Sequence, residues 1–146
     1  MRIAIGCDPN AADYKEKLIP YIESLGNTCV DYGSDDTIYA NTAIRLATDV
    51  VAGKCDRGIL ICGTGIGMSI AANKVKGAYA ALVTDIYQAQ RAQLSNNAKI
   101  ITLGSQVTGI ELAKCLIKEF LSVSFDPNSR SKVKVDRITS YEKGEI

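Results

Sequence analysis

Short apolar runs alternate along the chain with longer segments in which apolar residues recur at helical spacing. Runs rich in Ile, Val and Leu are typical of strands that a parallel sheet buries on both faces. They predict strands over 2–7, 27–32, 58–61, 78–83 and 99–103. The intervening pattern predicts helices over 15–25, 41–51, 86–94 and 109–121, and a further helix that starts at Met68.

Strands that alternate with helices in this way indicate an α/β fold, a three-layer α/β/α sandwich around a mostly parallel sheet of five strands. At 146 residues the chain can bury a substantial core, so we expect a single domain over 1–146. Right-handed crossovers would bring the C-terminal tips of four strands to one edge. The polar or reactive residues expected in that crevice are Asp8, Cys62, Thr84 and Ser105.

The stretch 57–73 carries the most specific pattern. It reads RGILICGTGIGMSIAAN, a buried strand followed by glycines at 63, 65 and 67 and then by helical spacing. Such a turn leaves backbone N–H groups free at the start of a helix, which favours an anion, and glycine lets a ligand approach the backbone. The turn is shorter than a P-loop, lacks its Lys-Ser/Thr ending and does not fit GxGxxG, so a nucleotide site is the weaker alternative.

Cys62 lies at the tip of this strand, where open α/β sheets place their ligands. Thiols beside helix N-termini ionise more readily, and a thiolate next to N–H donors can move a proton beside a developing oxyanion. Most free cysteines are small core hydrophobes, and we prefer that interpretation for Cys7, Cys29, Cys55 and Cys115. At Cys62 the glycine turn favours the catalytic interpretation.

Composition narrows the function further. A net charge of +1 gives no electrostatic reason to expect nucleic acid or an anionic membrane as a partner. No apolar run reaches transmembrane length, and the chain enters its first strand at once, so we expect no signal peptide. Five cysteines without a CxxC pair argue against a disulfide framework or a zinc site and for a cytoplasmic location. Histidine is absent, so proton chemistry must use Cys, Asp, Glu, Tyr, Lys or water.

The C-terminal segment 122–146 contains three cations, Arg130, Lys134 and Arg137, that would share one face of a helix. A solvated surface is the default interpretation of such a cluster. Apolar residues at Val133, Val135 and Ile138, however, indicate that the segment packs against something. We therefore expect a helical tail that reaches a second subunit and presents cations to a phosphate.

Three segments and the basic tail resemble the ribose-5-phosphate isomerase B family, which also includes the two subunits of galactose-6-phosphate isomerase. The segments are MRIAIGCD, DRGILICGTGIGMSIAANKVKG and NNAKIITLGS, and the resemblance covers roughly 2–138. It implies a Rossmann-like fold and the interconversion of aldose and ketose phosphates through a cis-enediolate. It also implies no metal or cofactor, and a homodimer or tetramer with its sites at the dimer interface.

The same resemblance implies a role for each matching residue. Cys62 corresponds to the cysteine that moves the proton between C1 and C2. The loop that holds the enediolate oxygen corresponds to Thr64 and the amides of Gly63, Gly65, Ile66 and Gly67. The residues that lie beside the sugar correspond to Asp8, Tyr39 and Asn96. The two phosphate contacts correspond to Arg130 and Lys134, the second of which is an arginine elsewhere in the family.

The chain departs from the family where histidines are customary. Pro9 follows Asp8 in place of a histidine, and Ser95 stands where the family has the histidine credited with opening the sugar ring. Gln106 replaces an arginine, and the tail reads PNSRS over 127–131 in place of a segment with Gly-Gly-Arg-His. The cysteine and its glycine loop are intact.

Three hypotheses follow from this combination. The first is an active isomerase, either of ribose 5-phosphate to ribulose 5-phosphate or of a four-carbon sugar phosphate that forms no stable ring. The second is one subunit of a two-subunit isomerase, in which a histidine-bearing homologue supplies the missing side chains. The third is a sugar-phosphate-binding protein with little turnover, against which the intact 62–64 segment argues. Lost acid–base help would slow ring opening by ~10²–10⁴-fold.

Overall fold

The computed structural model describes all 146 residues of the chain. Its five strands are β1 (Arg2–Cys7), β2 (Thr28–Asp31), β3 (Arg57–Cys62), β4 (Ala80–Leu82) and β5 (Ile100–Gly104). Its six α-helices are α1 (Ala12–Ser24), α2 (Tyr39–Val51), α3 (Ile66–Ala72), α4 (Ile86–Leu94), α5 (Ile110–Ser122) and α6 (Lys132–Glu142). No helix has the combination of length and apolar character that crossing a membrane requires.

The five strands form one sheet in the order β2-β1-β3-β5-β4, and every pairing is parallel. The predicted α/β fold with five strands is therefore confirmed. From β1 the chain first moves outward to β2, and it then crosses to β3 on the other side of β1, so the winding reverses between β1 and β3. Ligands of such sheets bind outside the carboxyl ends of the strands at this reversal.

Helices cover both faces of the sheet, which is why the strands read as continuous apolar runs. Successive side chains of β3 alternate between the two layers: Ile59 and Ile61 pack in the cluster with α1 and α5, whereas Leu60 and Cys62 pack in the cluster with α2 and α3. Each fully buried Ile or Leu of these layers contributes about 1.5–3 kcal/mol. The layer of α2 and α3 thus supplies the surroundings of Cys62.

Four elements begin two or three residues away from the predicted positions: α1 begins at Ala12 rather than 15, α2 begins at Tyr39 rather than 41, and α3 and β4 are shifted as well. α3 begins at Ile66 rather than Met68, because Gly65 adopts a left-handed conformation (φ +79°) that completes the turn and lets the helix start at the next residue. β4 spans only Ala80–Leu82 rather than 78–83, since it is an edge strand that pairs with β5 alone.

The start of the C-terminal segment is fixed by the buried side chain of Arg57. Its guanidinium donates to the carbonyl oxygens of Phe120 and Val123, the second at 2.6 Å, and to Ser124 Oγ at 3.2 Å. Burial lowers the pKa of this guanidinium from its ordinary value. These bonds link the end of α5 to the first residue of β3.

The predicted helical tail is present as α6. Val135 is buried against the rest of the chain, and the Tyr79 hydroxyl lies 2.9 Å from Thr139 Oγ1. Of the three apolar residues expected to pack, only Val135 is buried, whereas Val133 and Ile138 are 70% and 53% exposed. α6 therefore packs on its own chain through Val135 and Thr139 and leaves the apolar side chains of Val133 and Ile138 exposed.

Candidate active site

The reversal of winding brings Asp8 beside Cys62. Cys7 is level with Ile61 in the parallel register, and the Asp8 N–H donates to the Ile61 carbonyl oxygen at 3.1 Å. Asp8 Oδ1 accepts the Ala11 N–H at 3.1 Å and so caps the turn that follows, while Oδ2 has no partner within the chain. One carboxylate can therefore hold the turn and still offer an oxygen to a ligand at the strand tips.

Cys62 is the last residue of β3, and only 6% of its surface is exposed. Its Sγ accepts the N–H of Gly65 at 3.1 Å, so the glycine loop folds back over the sulfur. The N–H groups of Gly63, Thr64 and Gly67 donate to no acceptor of the chain. A sulfur atom and a set of free N–H donors are thus placed within one short loop.

The glycine loop is held in a single arrangement by β5 and the residues after it. The Thr102 hydroxyl donates to the Gly65 carbonyl oxygen at 2.9 Å, the Gln106 N–H donates to Gly63 O at 3.0 Å, and the Ser105 N–H donates to Cys62 O at 2.9 Å. Donors that need no rearrangement are the kind that stabilise a developing oxyanion best. The loop is therefore preorganised by its neighbours on the sheet.

Thr102 is a supporting residue that the sequence pattern did not identify. It is buried in β5 and is the one polar side chain in an otherwise apolar strand, which reads IITLG. A polar residue at a buried strand position needs a hydrogen-bond partner, and that requirement is the signal that would have pointed to it.

Tyr39 borders the same loop from α2. It is the first residue of that helix, and 42% of its surface is exposed. A Cβ atom on Gly67 would lie only 2.6 Å from the Tyr39 hydroxyl, so glycine at 67 permits the ring to approach. Asp8, Tyr39 and the loop 62–67 therefore lie at the same end of the sheet.

The remaining predicted residues lie together elsewhere. Asn96, Arg130 and Lys134 line a cavity of about 350 Å³ between α4 and α6. Its other lining residues are Tyr87, Arg91, Ser95, Ser131, Val135 and Ile138. The cavity contains three cations and no carboxylate, which is the electrostatic character that a phosphate requires.

Arg137 does not share this cavity, contrary to the expectation from spacing. α6 begins only at Lys132, so Arg130 lies in the turn before the helix. Lys134 lines the cavity from the first turn of α6, whereas Arg137, three residues further along, does not. Lys134 and Arg130 nevertheless converge because the turn before α6 brings Arg130 to the cavity.

Cys62 and Asn96 lie at opposite ends of the sheet. Cys62 is level with Gly104, the last residue of β5, whereas Asn96 lies in the turn before Ile100, the first residue of β5. β5 alone is about 13 Å long at the usual rise per residue. A sugar phosphate of four to six carbons is shorter than this, so one chain does not bring the two groups of residues to one ligand.

The other cysteines test the interpretation that they are core hydrophobes. Cys7 and Cys55 are buried, and burial raises the pKa of the Cys7 thiol to about 11. Burial also raises the pKa of Cys29 to about 11, although this residue is partly exposed. Cys115 is exposed, so the expectation of a core position was wrong there.

No group of three or more Cys, Asp or Glu side chains converges in a way that could hold a metal ion.

Thr84, expected in the crevice, donates its hydroxyl to Gln88 Oε1 at 3.1 Å. Asp85 caps α4 by accepting the Gln88 N–H at 2.8 Å, as predicted from its position.

Comparison with known proteins gives consistent matches over the whole length. A family model described as Ribose/Galactose Isomerase matches residues 3–138. A protein of Pectobacterium atrosepticum named D-erythrulose-4-phosphate isomerase is 47% identical over 99% of this chain and 97% of its own. One of Mycolicibacterium smegmatis named D-erythrulose-4-phosphate isomerase 2 is 44% identical over 97% of each chain. The solved structure of ribose-5-phosphate isomerase B from Clostridium thermocellum aligns with a TM-score of 0.92, 36% identity and complete coverage of both chains.

Proposed function

Because the chain belongs to the ribose/galactose isomerase family and is an aldose–ketose isomerase of a sugar phosphate, we propose that its substrate is a four-carbon sugar phosphate and that Cys62 is its base. The reaction would interconvert D-erythrulose 4-phosphate and the corresponding four-carbon aldose phosphate. The observation that carries the choice of base is the position of Cys62, at the reversal of winding and under a loop with three free N–H donors.

In this proposal Cys62 acts as the base that moves a proton between C1 and C2. Its thiolate removes the proton from C2 of the aldose, which gives the enediolate. The hydroxyl proton then passes from O2 to O1, and the protonated sulfur delivers its proton to C1, which gives the ketose. The free N–H groups of Gly63, Thr64 and Gly67 would stabilise the charge on the enediolate oxygen, with the amides of Gly65 and Ile66 in the same loop. The Thr64 hydroxyl, which accepts the Ile66 N–H at 3.3 Å, would still have its own proton to donate to that oxygen.

The other residues would position the substrate. Asp8 Oδ2 and the Tyr39 hydroxyl are available for the sugar hydroxyls at the end of the sheet that carries Cys62. Arg130 and Lys134 would bind the phosphate, and Asn96, which shares their cavity, would contact the substrate beside them. Charge-assisted hydrogen bonds from a guanidinium to a phosphate are the strong, geometrically specific kind.

We propose that the complete site forms between two copies of the chain. The separation of Cys62 from Asn96 supports this, since a substrate cannot span the sheet from end to end. The exposure of two apolar side chains of α6, Val133 and Ile138, supports it as well, because a second subunit would bury them. In a twofold dimer the cavity of one subunit would face the loop of the other, which makes two equivalent sites.

A four-carbon substrate is supported by what the chain lacks. The family resemblance leads us to expect a ring-opening histidine, and this chain has no histidine at all. A tetrose 4-phosphate needs no such help, because the oxygen that would close a five-membered ring already carries the phosphate. The names of the two relatives reported above agree with this choice.

The substrate is tested by rates on erythrulose 4-phosphate, ribose 5-phosphate and galactose 6-phosphate. We expect kcat/KM for the four-carbon substrate to exceed the others by at least about 10²-fold, the lower limit of what acid–base help is typically worth. A higher kcat/KM for ribose 5-phosphate would contradict the proposal. Turnover of galactose 6-phosphate only after a histidine-bearing homologue is added would identify a subunit of a two-subunit enzyme. Binding without turnover of any of the three would identify a binding protein.

The assembly between subunits is tested by complementation. Cys62→Ala and the double variant Arg130→Ala with Lys134→Ala are co-expressed with different affinity tags, and the mixed dimer is isolated. Each variant alone should be almost inactive, whereas the mixed dimer should have about half of the parental activity, because one of its two sites has no substitution. A mixed dimer as inactive as its parents would show that Cys62 and the cations of the same chain act together.

A further inference from the structure

The cavity between α4 and α6 contains a third cation, Arg91, to which the sequence pattern assigns no role. We propose that Arg91 is a phosphate-binding residue of this cavity and that Ser95 is the positioning residue that orients it. This inference rests on the proposed function and extends it, since it adds a phosphate contact from α4 to the two that come from the C-terminal segment 122–146.

The geometry of Arg91 suits this role. Its Nε donates to Ser95 Oγ at 2.6 Å, and the two residues are four positions apart, at the end of α4 and just after it. Nη1 and Nη2 have no hydrogen-bond or ion-pair partner within the chain. A guanidinium held at Nε presents its remaining N–H groups as a planar fork, which matches two oxygens of one phosphate.

Burial distinguishes Arg91 from the other two cations. Arg91 is only partly exposed, whereas Arg130 and Lys134 are both exposed. Solvent screens a partly buried charge less than an exposed one, so a contact from Arg91 should contribute more to the free energy of phosphate binding than the same contact from an exposed cation. No carboxylate lines the cavity to neutralise it.

The charge of the ligand also favours a third cation. A phosphate monoester carries a charge of about −1.5 to −2 at neutral pH and offers three acceptor oxygens. Arg130 and Lys134 both belong to the C-terminal segment, while Arg91 belongs to α4. A phosphate bound by all three would therefore also connect the tail to the main fold.

The test measures the affinity for inorganic phosphate by titration calorimetry, which needs no turnover. Arg91→Gln should weaken phosphate binding about tenfold to hundredfold, as expected for the loss of hydrogen bonds to a charged group. Arg91→Lys should recover part of this loss, because the charge remains while the fork is removed. Ser95→Ala should weaken binding severalfold and raise KM with kcat unchanged, since it disturbs orientation alone.

The matched control is Arg137→Gln, which removes the same charge from α6 outside the cavity. It should bind phosphate as the parent does. The inference is wrong if Arg91→Gln retains the parental affinity, or if Arg137→Gln loses as much as Arg91→Gln. If Arg91→Gln does not fold, Arg91→Lys and Ser95→Ala decide the question, and parental affinity in both overturns it. A loss of phosphate affinity in a protein that isomerises no sugar phosphate would support the inference while it removes the proposed function.

Discussion

Replacing Cys62 with alanine is expected to lower kcat for sugar-phosphate isomerisation by ~10²–10⁴-fold, the range that a general base contributes. Cys62 has the only ionisable side chain of the loop 62–67, and the chain has no histidine that could take over the proton. KM and the affinity for inorganic phosphate should change little, because the cations line a cavity at the other end of the sheet. Cys62→Ser should be nearly as impaired, since its hydroxyl does not ionise near neutral pH.

Isotope exchange separates loss of the base from a general loss of structure. In D₂O the parent should incorporate deuterium at the carbon that the base protonates, and Cys62→Ala should not. Cys115→Ala is the matched control, because Cys115 is exposed on α5 and its thiol packs in neither core layer. If Cys62→Ala keeps the parental kcat or still exchanges deuterium, another group is the base.

The end of the sheet that carries Cys62 could be predicted because the relevant rules are local or topological. Apolar runs of strand length, glycines at 63, 65 and 67, and the polar residue Asp8 after β1 all appear in the sequence itself. Parallel strands then bring their carboxyl ends together wherever the helices between them are long enough to cross back. Side-chain packing is not needed to reach this result.

The cavity that contains Arg91 could not be predicted in the same way. It depends on the path of the chain between α5 and α6, where residues 123–131 have no periodic pattern. That path is determined by specific contacts, such as the Arg57 guanidinium with Val123 and Ser124. The hydrogen bond from Arg91 to Ser95 follows a helical spacing of four, yet its importance emerges only when α6 lies beside α4.

The exposure of Cys115 could have been predicted from its position in α5. The buried positions of α5 are Ala113, Leu116, Ile117 and Phe120, which form one stripe at helical spacing. Cys115 lies off this stripe, so its helical position predicts exposure even though its residue type favours burial. Position within an amphipathic helix was the better guide here.

The position of Asn96 also follows from element order, although the consequence is visible only with the strands in place. A helix between two parallel strands returns the chain to the end of the sheet at which strands begin, so the turn after α4 lies far from the tip of β3. A site that needs both ends of one sheet is most simply made from two sheets. The loop 62–67 of one subunit and the cavity between α4 and α6 of the other would then together form one site.

Gly104→Ala is expected to displace the loop 62–67, although it replaces no residue that is assigned to the chemistry. A Cβ atom at this position would lie 2.7–2.8 Å from the backbone C, O and Cα atoms of Thr64. Backbone atoms cannot rotate away as a side chain would, so the loop must move. A displacement of ~1 Å can cost about 10²-fold in rate, and we expect a decrease of this size in kcat. The overpacking should also lower the free energy of unfolding by about 1–3 kcal/mol.

Gly109→Ala provides the comparison that isolates this contact. It makes the same chemical change just beyond the same strand, and a Cβ there meets no atom within 4 Å. Gly109 has φ −61°, a value that alanine adopts readily, so its variant should keep the parental kcat with at most a small loss of stability. Both variants are assayed for kcat, for the denaturant midpoint and for inorganic phosphate affinity. Gly104→Ala should retain phosphate affinity, because the basic cavity lies at the other end of β5. A Gly104→Ala protein with parental kcat would mean that the position of Thr64 does not limit the reaction.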